Sequence, residues 1–312
     1  MTRCETSPGS ARWRVAEAAR RLDRYLADAC PQLSRSAAQR LISQGRVRVN
    51  DLPARSRDAL APGDEIEIHW PAEMPSESPH PEQASLSILY EDEHLIVLDK
   101  PAGLAVHGGA GRTAGTLVNA LVAHRPAITT VGPDPQRAGI VHRLDRDTSG
   151  VMVVVTTDRA LRALQRQFRR RETRKEYLAL VYGRVAPPEA AIEAPIGRDP
   201  LQRQRMAVLP AGRYARSEYR LLEPLPGASL LAVLLLTGRT HQIRVHLASI
   251  GHPVVGDRVY GPRRGAISAP RQCLHAWRLT LAHPISGQPL TFEAPLPADL
   301  EAVLARLRAR RP

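Results

Sequence analysis

Apolar positions along the chain switch repeatedly between helical and strand periods. In RRLDRYLADA (residues 20–29), Leu22, Tyr25, Leu26 and Ala29 recur at helical spacing. LSRSAAQRLISQG (33–45) predicts a second helix with Ser34 as N-cap, a buried face of Ala38, Leu41 and Ile42, and Gly45 as the stop. RVRVN (46–50) and DEIEIHW (64–70) then alternate with period two, as half-buried strands do. PAEMPSESPHPEQAS (71–85), with four prolines and three glutamates, reads as a stiff linker. Beyond it, LSILYEDEHLIVLDKPAG (86–103) predicts a strand pair, and GVMVVVTT, KEYLALVYG and ASLLAVLLLTG predict buried strands. DRALRALQRQFRRRE places Leu161, Leu164 and Phe168 on one helical face. Without a regular βαβ rhythm or an internal repeat, the pattern predicts an α+β protein. Its expected core is a mixed, largely antiparallel central sheet flanked by helices, preceded by a small helix-helix-strand domain. The expected divisions are a disordered arm (1–17), a basic domain (18–70), the linker (71–85) and a larger domain (86–312).

Charge sharpens this picture. The formal net charge of +13 points to a polyanionic partner, but 42 of the 44 basic residues are arginine, so placement says more than number. Between Arg20 and Arg57 nine arginines face three aspartates, with Arg35, Arg40, Arg46 and Arg48 on or just beyond the second helix. That unit, carried by SRSAAQRLISQGRVRVN, resembles the αL RNA-binding module named after a ribosomal small-subunit protein. The resemblance implies that Arg35, Arg40 and Arg46 contact RNA phosphates, with little sequence readout. The longest apolar run, LLAVLLL (230–236), is too short to span a membrane, and the first residues carry no apolar signal segment. Three separated cysteines form neither a disulfide framework nor a metal spacing, so a reducing cytoplasm is the expected setting.

The chemistry concentrates in VHRLDRDTSG (141–150), where two arginines and two aspartates surround a leucine ahead of an apolar strand. HRLDRDTSG resembles the signature of RluA/RluD-type pseudouridine synthases. RRETRKEYLALVYG, LLTGRTHQIRVHLASIGHPVVGDRVYG and LHAWRLTLAHPISG resemble later blocks of that family in the right order, so the resemblance spans residues 86–297. Together with the basic module and GRDPLQRQRMAV, it is most similar to the branch that modifies large-subunit ribosomal RNA. It implies an isomerase that turns uridine into pseudouridine within RNA. Atoms and redox state balance in that reaction, so no cofactor is expected. The implied partner is RNA, ribosomal RNA above all, within pre-ribosomal particles, and the protein is expected to be a monomer away from membranes. The competing reading is a non-catalytic RNA-binding assembly factor on the same fold.

The resemblance makes Asp145 the essential residue, attacking the ribose C1′ or abstracting a proton at C2′. Burial disfavours an ionised carboxylate, and a guanidinium partner offsets this while fixing its orientation. By resemblance that partner is Arg239, which sits at the turn between the LLAVLLL strand and a helix carrying Ile243, Leu247 and Ile250. Tyr177 is expected to stack on the flipped uracil and to offer its phenolic oxygen to the C5 proton. Arg143, two residues before Asp145, is expected to contact RNA or to support the loop. His142, Tyr182 and Lys100 are read as structural. His241, His246 and His252 lack a metal-ligand spacing, and no metal is expected.

Overall fold

The structure, a computed structural model, describes residues 9–30, 33, 35–71, 79–108, 114–202, 205–262 and 267–310. It divides into two compact units, one of residues 1–78 and 133–135 and one of residues 79–132 and 136–312. Among the described residues no helix is long and apolar enough to cross a membrane.

The first unit opens with β1 (Ser10–Arg14), followed by α1 (Leu22–Ala29), α2 (Arg35–Ser43), β2 (Val47–Val49), β3 (Leu52–Pro53) and β4 (Glu65–His69). The strands lie in the order β1-β4-β2-β3. Part of the expected arm is therefore strand. Ser10–Arg14 pairs antiparallel with Glu65–His69, and Ala11 and Trp13 point into the core between exposed arginines. The alternation SARWR carries only two apolar residues, too short a run to stand out amid the flanking polar ones. Leu22 and Leu26 of α1, Ala38, Leu41 and Ile42 of α2, and Ile66 and Ile68 of β4 close the core. Gly45 ends α2 in the left-handed region (φ 70°), where its N–H reaches Ile42 O at 3.0 Å and Arg46 N reaches Leu41 O at 2.9 Å. The Ser34 cap expectation lies outside the described residues.

The second unit is α+β. Its strands are β5 (Ile88–Glu91), β6 (Leu95–Lys100), β7 (Ser149–Val155), β8 (Arg174–Tyr182), β9 (Glu189–Glu193), β10 (Ile196–Arg198), β11 (Met206–Val208), β12 (Arg216–Leu225), β13 (Ala228–Leu235), β14 (Leu274–Ala282) and β15 (Pro289–Glu293). Its helices are α3 (Leu117–His124), α4 (Asp158–Arg170), α5 (Gln242–Ser249) and α6 (Ala298–Arg308). The nine-stranded sheet runs β5-β6-β7-β14-β8-β13-β12-β9, with β15 also on β14, and a hairpin of β10 and β11 stands apart. All neighbours in the large sheet are antiparallel except β7 and β14.

Every residue of β7 is buried, as its unbroken apolar run requires of a central strand. At its start the parallel pairing aligns Ser149 with His275 and Gly150 with Ala276. A Cβ on Gly150 (φ 116°) would lie 2.1 Å from Ala276 O, so only glycine lets the two backbones approach there. Ala276 in turn pairs with Tyr177 of β8, which pairs on its other side with Val233 of β13. The centre of the sheet thereby fixes Tyr177 and the end of the 141–148 loop relative to each other.

Candidate active site

The loop that carries Asp145 is held from beneath by the backbone. Thr148 N donates to Asp145 O at 3.1 Å, and Leu144 is buried in the core. Lys100, fully buried, donates to three carbonyls, those of Pro101 (2.7 Å), Leu104 (3.0 Å) and Arg146 (3.0 Å). Burial, and then the charge of Arg271, pulls the Lys100 pKa down to about 8. Arg271 donates to Asp147 O at 3.1 Å and Ser149 Oγ at 3.0 Å while its fork grips Asp299 at 2.6 and 2.9 Å. Arg146 pairs with its neighbour Asp147 at 3.1 Å rather than with Asp145.

The guanidinium on Asp145 belongs to Arg244. Its Nη1 donates to Asp145 Oδ2 at 2.9 Å. Its remaining edge is committed to Asp257, with Nε to Oδ2 at 2.7 Å and Nη2 to Oδ1 at 2.9 Å. Asp257 is also fixed by the N–H groups of Val259 (2.8 Å) and Tyr260 (3.1 Å), and the Tyr260 ring lies 5.1 Å from the Arg244 guanidinium. Burial works against both charges. Nevertheless the hydrogen bonds between them hold the Arg244 pKa above its ordinary value and the Asp257 carboxyl below the usual carboxylate range. Buried Asp257 thus aims buried Arg244, and Arg244 holds one oxygen of an Asp145 side chain that remains 21% exposed.

The expected Asp145–Arg239 pair is therefore corrected. Arg239 stands at the strand-to-helix turn, but its Nε donates to Tyr214 O at 3.0 Å. The turn itself is fastened by buried Gln242, whose Oε1 accepts from Arg239 N (3.0 Å) and Thr237 Oγ1 (2.8 Å). A residue inside the first turn of α5, not the one before the helix, projects toward Asp145. His241 also reaches the site from the left-handed region (φ 56°), with Nε2 4.0 Å from Asp145 Oδ2 and Nδ1 2.9 Å from Tyr260 Oη. Burial lowers its pKa against the opposing pull of Asp145.

These groups line a cavity of about 510 Å³, within the size range of small-ligand sites. Asp145, Tyr177, Arg239 and Arg143 all border it, so the second unit gathers four of the seven expected site residues. Tyr177 is 7% exposed, and burial first, then the Asp145 charge, raises its phenol pKa above the ordinary value. The ring borders the cavity beside Asp145. His142 Nε2 accepts Val153 N–H at 3.0 Å while its ring stacks on Phe168 at 5.0 Å. Burial and then the Lys175 charge pull its pKa down to about 3, so it is a neutral structural group. Tyr182 Oη bonds Ile267 O at 3.3 Å. His246 spends both ring nitrogens, on Ser217 Oγ and Ala194 O, and His252 Nδ1 bonds Tyr182 O.

In the first unit, Arg35 spends its Nε on Asp23 at 3.0 Å, although its side chain remains 53% exposed. Arg40 lies in the last turn of α2, and Arg46 follows Gly45, half-buried. Sequence reasoning missed Arg244, Asp257 and His241. All three lie in the stretch TGRTHQIRVHLASIGHPVVGDRVYG, and only the fold distinguishes them from its other polar residues.

Comparison with known proteins fixes the lineage of this arrangement. The family model described as RNA pseudouridylate synthase matches residues 94–249, and an S4 domain model matches residues 20–66. The chain belongs to the RNA pseudouridine synthase family. It is 47% identical over 295 residues to a ribosomal large subunit pseudouridine synthase D of Nitrosomonas europaea, covering 92% of this chain and 84% of that protein. An uncharacterized RNA pseudouridine synthase of Chloroflexus aurantiacus is 51% identical over 295 residues, covering 94% and 92%. Among solved structures, human RNA pseudouridylate synthase domain containing 1 shares 27% identity at a TM-score of 0.55, covering 73% of this chain and 98% of its own. The synthase is thus an isomerase with an S4-type RNA-binding unit ahead of its catalytic fold.

Proposed function

We propose that the synthase isomerises uridines of large-subunit ribosomal RNA, with Asp145 as the group that acts on the ribose. The single observation that carries this reading is the Asp145 carboxylate at the cavity, with one oxygen held by the Arg244–Asp257 pair and the buried Tyr177 ring lining the same space. The substrate class draws on relatives named for the ribosomal large subunit and on the S4-type unit.

The chemistry asked of these residues is limited. The N1–C1′ bond breaks, the detached uracil turns, a C5–C1′ bond forms, C5 gives up its proton and N1 gains one. Asp145 either attacks C1′ and is released when C5 bonds there, or removes a C2′ proton and later returns it. Arg244 keeps the carboxylate oriented in both routes. Tyr177 retains the base by stacking, an interaction worth roughly 1–3 kcal/mol per base. The C5 proton passes to a basic group bordering the cavity, the released Asp145 carboxylate or the Tyr177 oxygen. The target must leave its stack first, at a few kcal/mol, which favours unpaired ribosomal loops.

Tritium release from C5-labelled uridine in large-subunit ribosomal RNA tests the reading. Wild type should release label, and Asp145→Asn should slow release at least about a thousand-fold with RNA affinity retained. Release by Asp145→Asn at the wild-type rate would remove Asp145 from the chemistry.

A further inference from the structure

Five arginines line the cavity without joining the Asp145–Arg244–Asp257 chain, and three of them, Arg171, Arg213 and Arg239, gather around Tyr214. They come from three places, the left-handed C-cap of α4, the loop before β12 and the turn before α5. Tyr214 ties them together. The Arg171 guanidinium lies 5.4 Å from the Tyr214 ring centroid, Arg239 donates to Tyr214 O at 3.0 Å, and Arg213 is its chain neighbour. Among the described residues none of the three pairs with a carboxylate, whereas Arg216, just along the same chain, is bound to Glu193 and Glu218.

The cluster is built on stiff backbone. Arg213 N and Ile196 N each reach the other residue's carbonyl at 2.9 Å. A Cβ on Gly212 would lie 2.6 Å from the Ile196 carbonyl carbon, so this loop is packed directly onto β10. Gln242 fixes the Arg239 turn by the bonds already described and by two more, to Arg216 O and Ser217 Oγ, both at 3.0 Å. The like charges feel one another. Burial first, then Arg213 and Arg171, lowers the Arg239 pKa, and burial followed by Arg171 brings Lys175 in the same cavity down to about 8. Rigid loops that hold repelling cations together, with no internal anion, form a site preorganised for an external one. A neutral uracil needs no such charge. The anion adjoining a ribose in RNA is the phosphodiester.

We propose that Arg171, Arg213 and Arg239 form a clamp for the phosphodiester next to the isomerised nucleotide, with Tyr214 holding the spacing of the guanidinium groups. This rests on the RNA isomerase reading given above. The clamp would anchor the backbone while the base turns, so that the ribose stays within reach of Asp145.

The test uses the full chain and a single-stranded uridine decamer followed by fluorescence anisotropy over a range of salt concentrations. The double variant Arg171→Ala/Arg213→Ala is compared with Arg184→Ala/Arg220→Ala, which removes the same charge from exposed positions away from the cavity. The clamp predicts that the first variant binds the decamer at least about five-fold more weakly. It also predicts a slope of log affinity against log salt shallower by about 0.7, the value for one lost phosphate contact on a single strand. The control should keep the wild-type slope. Equal slopes and affinities for the two double variants would overturn the clamp, as would a slope lost equally in both, which reports net charge alone. The tritium assay on wild type judges the isomerase reading separately, so failure of one is not failure of the other.

Discussion

Two carboxylates held by arginine, one in each unit, have opposite fates. Asp23 of the first unit is fully buried and saturated: Arg21 grips both its oxygens at 2.9 Å, and Arg35 and Gln39 add further bonds to Oδ2. Hydrogen bonds from Arg21, acting against burial and joined by Gln39 and Arg35, hold its carboxyl well below the usual carboxylate range. Fully buried, it is out of reach of an outside molecule, and the group ties α1 to the start of α2. Asp145 has one charged hydrogen-bond partner, on one oxygen, and remains partly exposed at a cavity. The saturating geometry occurs one step away, on Asp257, which takes the Nε–Nη2 edge of Arg244 and two backbone N–H groups. A full set of partners makes a carboxylate structural, whereas a single well-aimed one leaves it poised to react.

This contrast can be broken from either side. The largest effect is expected from Arg244→Lys, which keeps the charge but cannot bridge Asp257 and Asp145 with a planar fork. Turnover in the tritium assay should fall about a hundred-fold, the usual cost of misplacing a reacting group by about an ångström, with RNA affinity within about three-fold of wild type. Unchanged turnover would mean that orientation of Asp145 does not depend on the fork.

Asp23→Asn should leave that turnover near wild type when RNA is saturating and lower the stability of the first unit by roughly 1.5–3 kcal/mol, the scale of hydrogen bonds to charged groups. Because the folded pKa of Asp23 is depressed, its contribution is fully present above the unfolded value of roughly 3.9 and is lost as pH falls through the folded value. Urea midpoints of wild type should therefore drop more steeply than those of Asp23→Asn below about pH 4. Parallel curves would show that Asp23 adds no net stability.

The smallest effect is expected from Arg239→Ala. It should raise KM for RNA several-fold with kcat within about two-fold, because its guanidinium serves binding and not Asp145. A kcat loss as large as that of Arg244→Lys would return Arg239 to the carboxylate.

Much of the fold was legible from pattern alone. The buried run of β7, the amphipathic α4 and the hairpin of β5 and β6 follow directly from apolar spacing, and resemblance singled out Asp145 and Tyr177, which share one cavity. The strand at Ser10–Arg14 was hidden because two apolar residues among arginines give too weak an alternation, and its partner lies more than fifty positions away in the sequence. Arg35 was legible as basic but not as bound, since its carboxylate, Asp23, sits on the preceding helix.

By itself the sequence determined most of the strands and helices and, through its resemblance, that a carboxylate at residue 145 calls for a guanidinium partner. Apolar periodicity and charge are local properties and survive without coordinates. Which arginine answers that need was decided only by the tertiary structure. Arg239 and Arg244 lie five positions apart, and their separation around the start of α5 turns one toward Tyr214 and the other toward Asp145. Asp257, arriving through a separate turn, locks the second choice, because a planar guanidinium bound along one edge can offer its remaining nitrogen in only one direction.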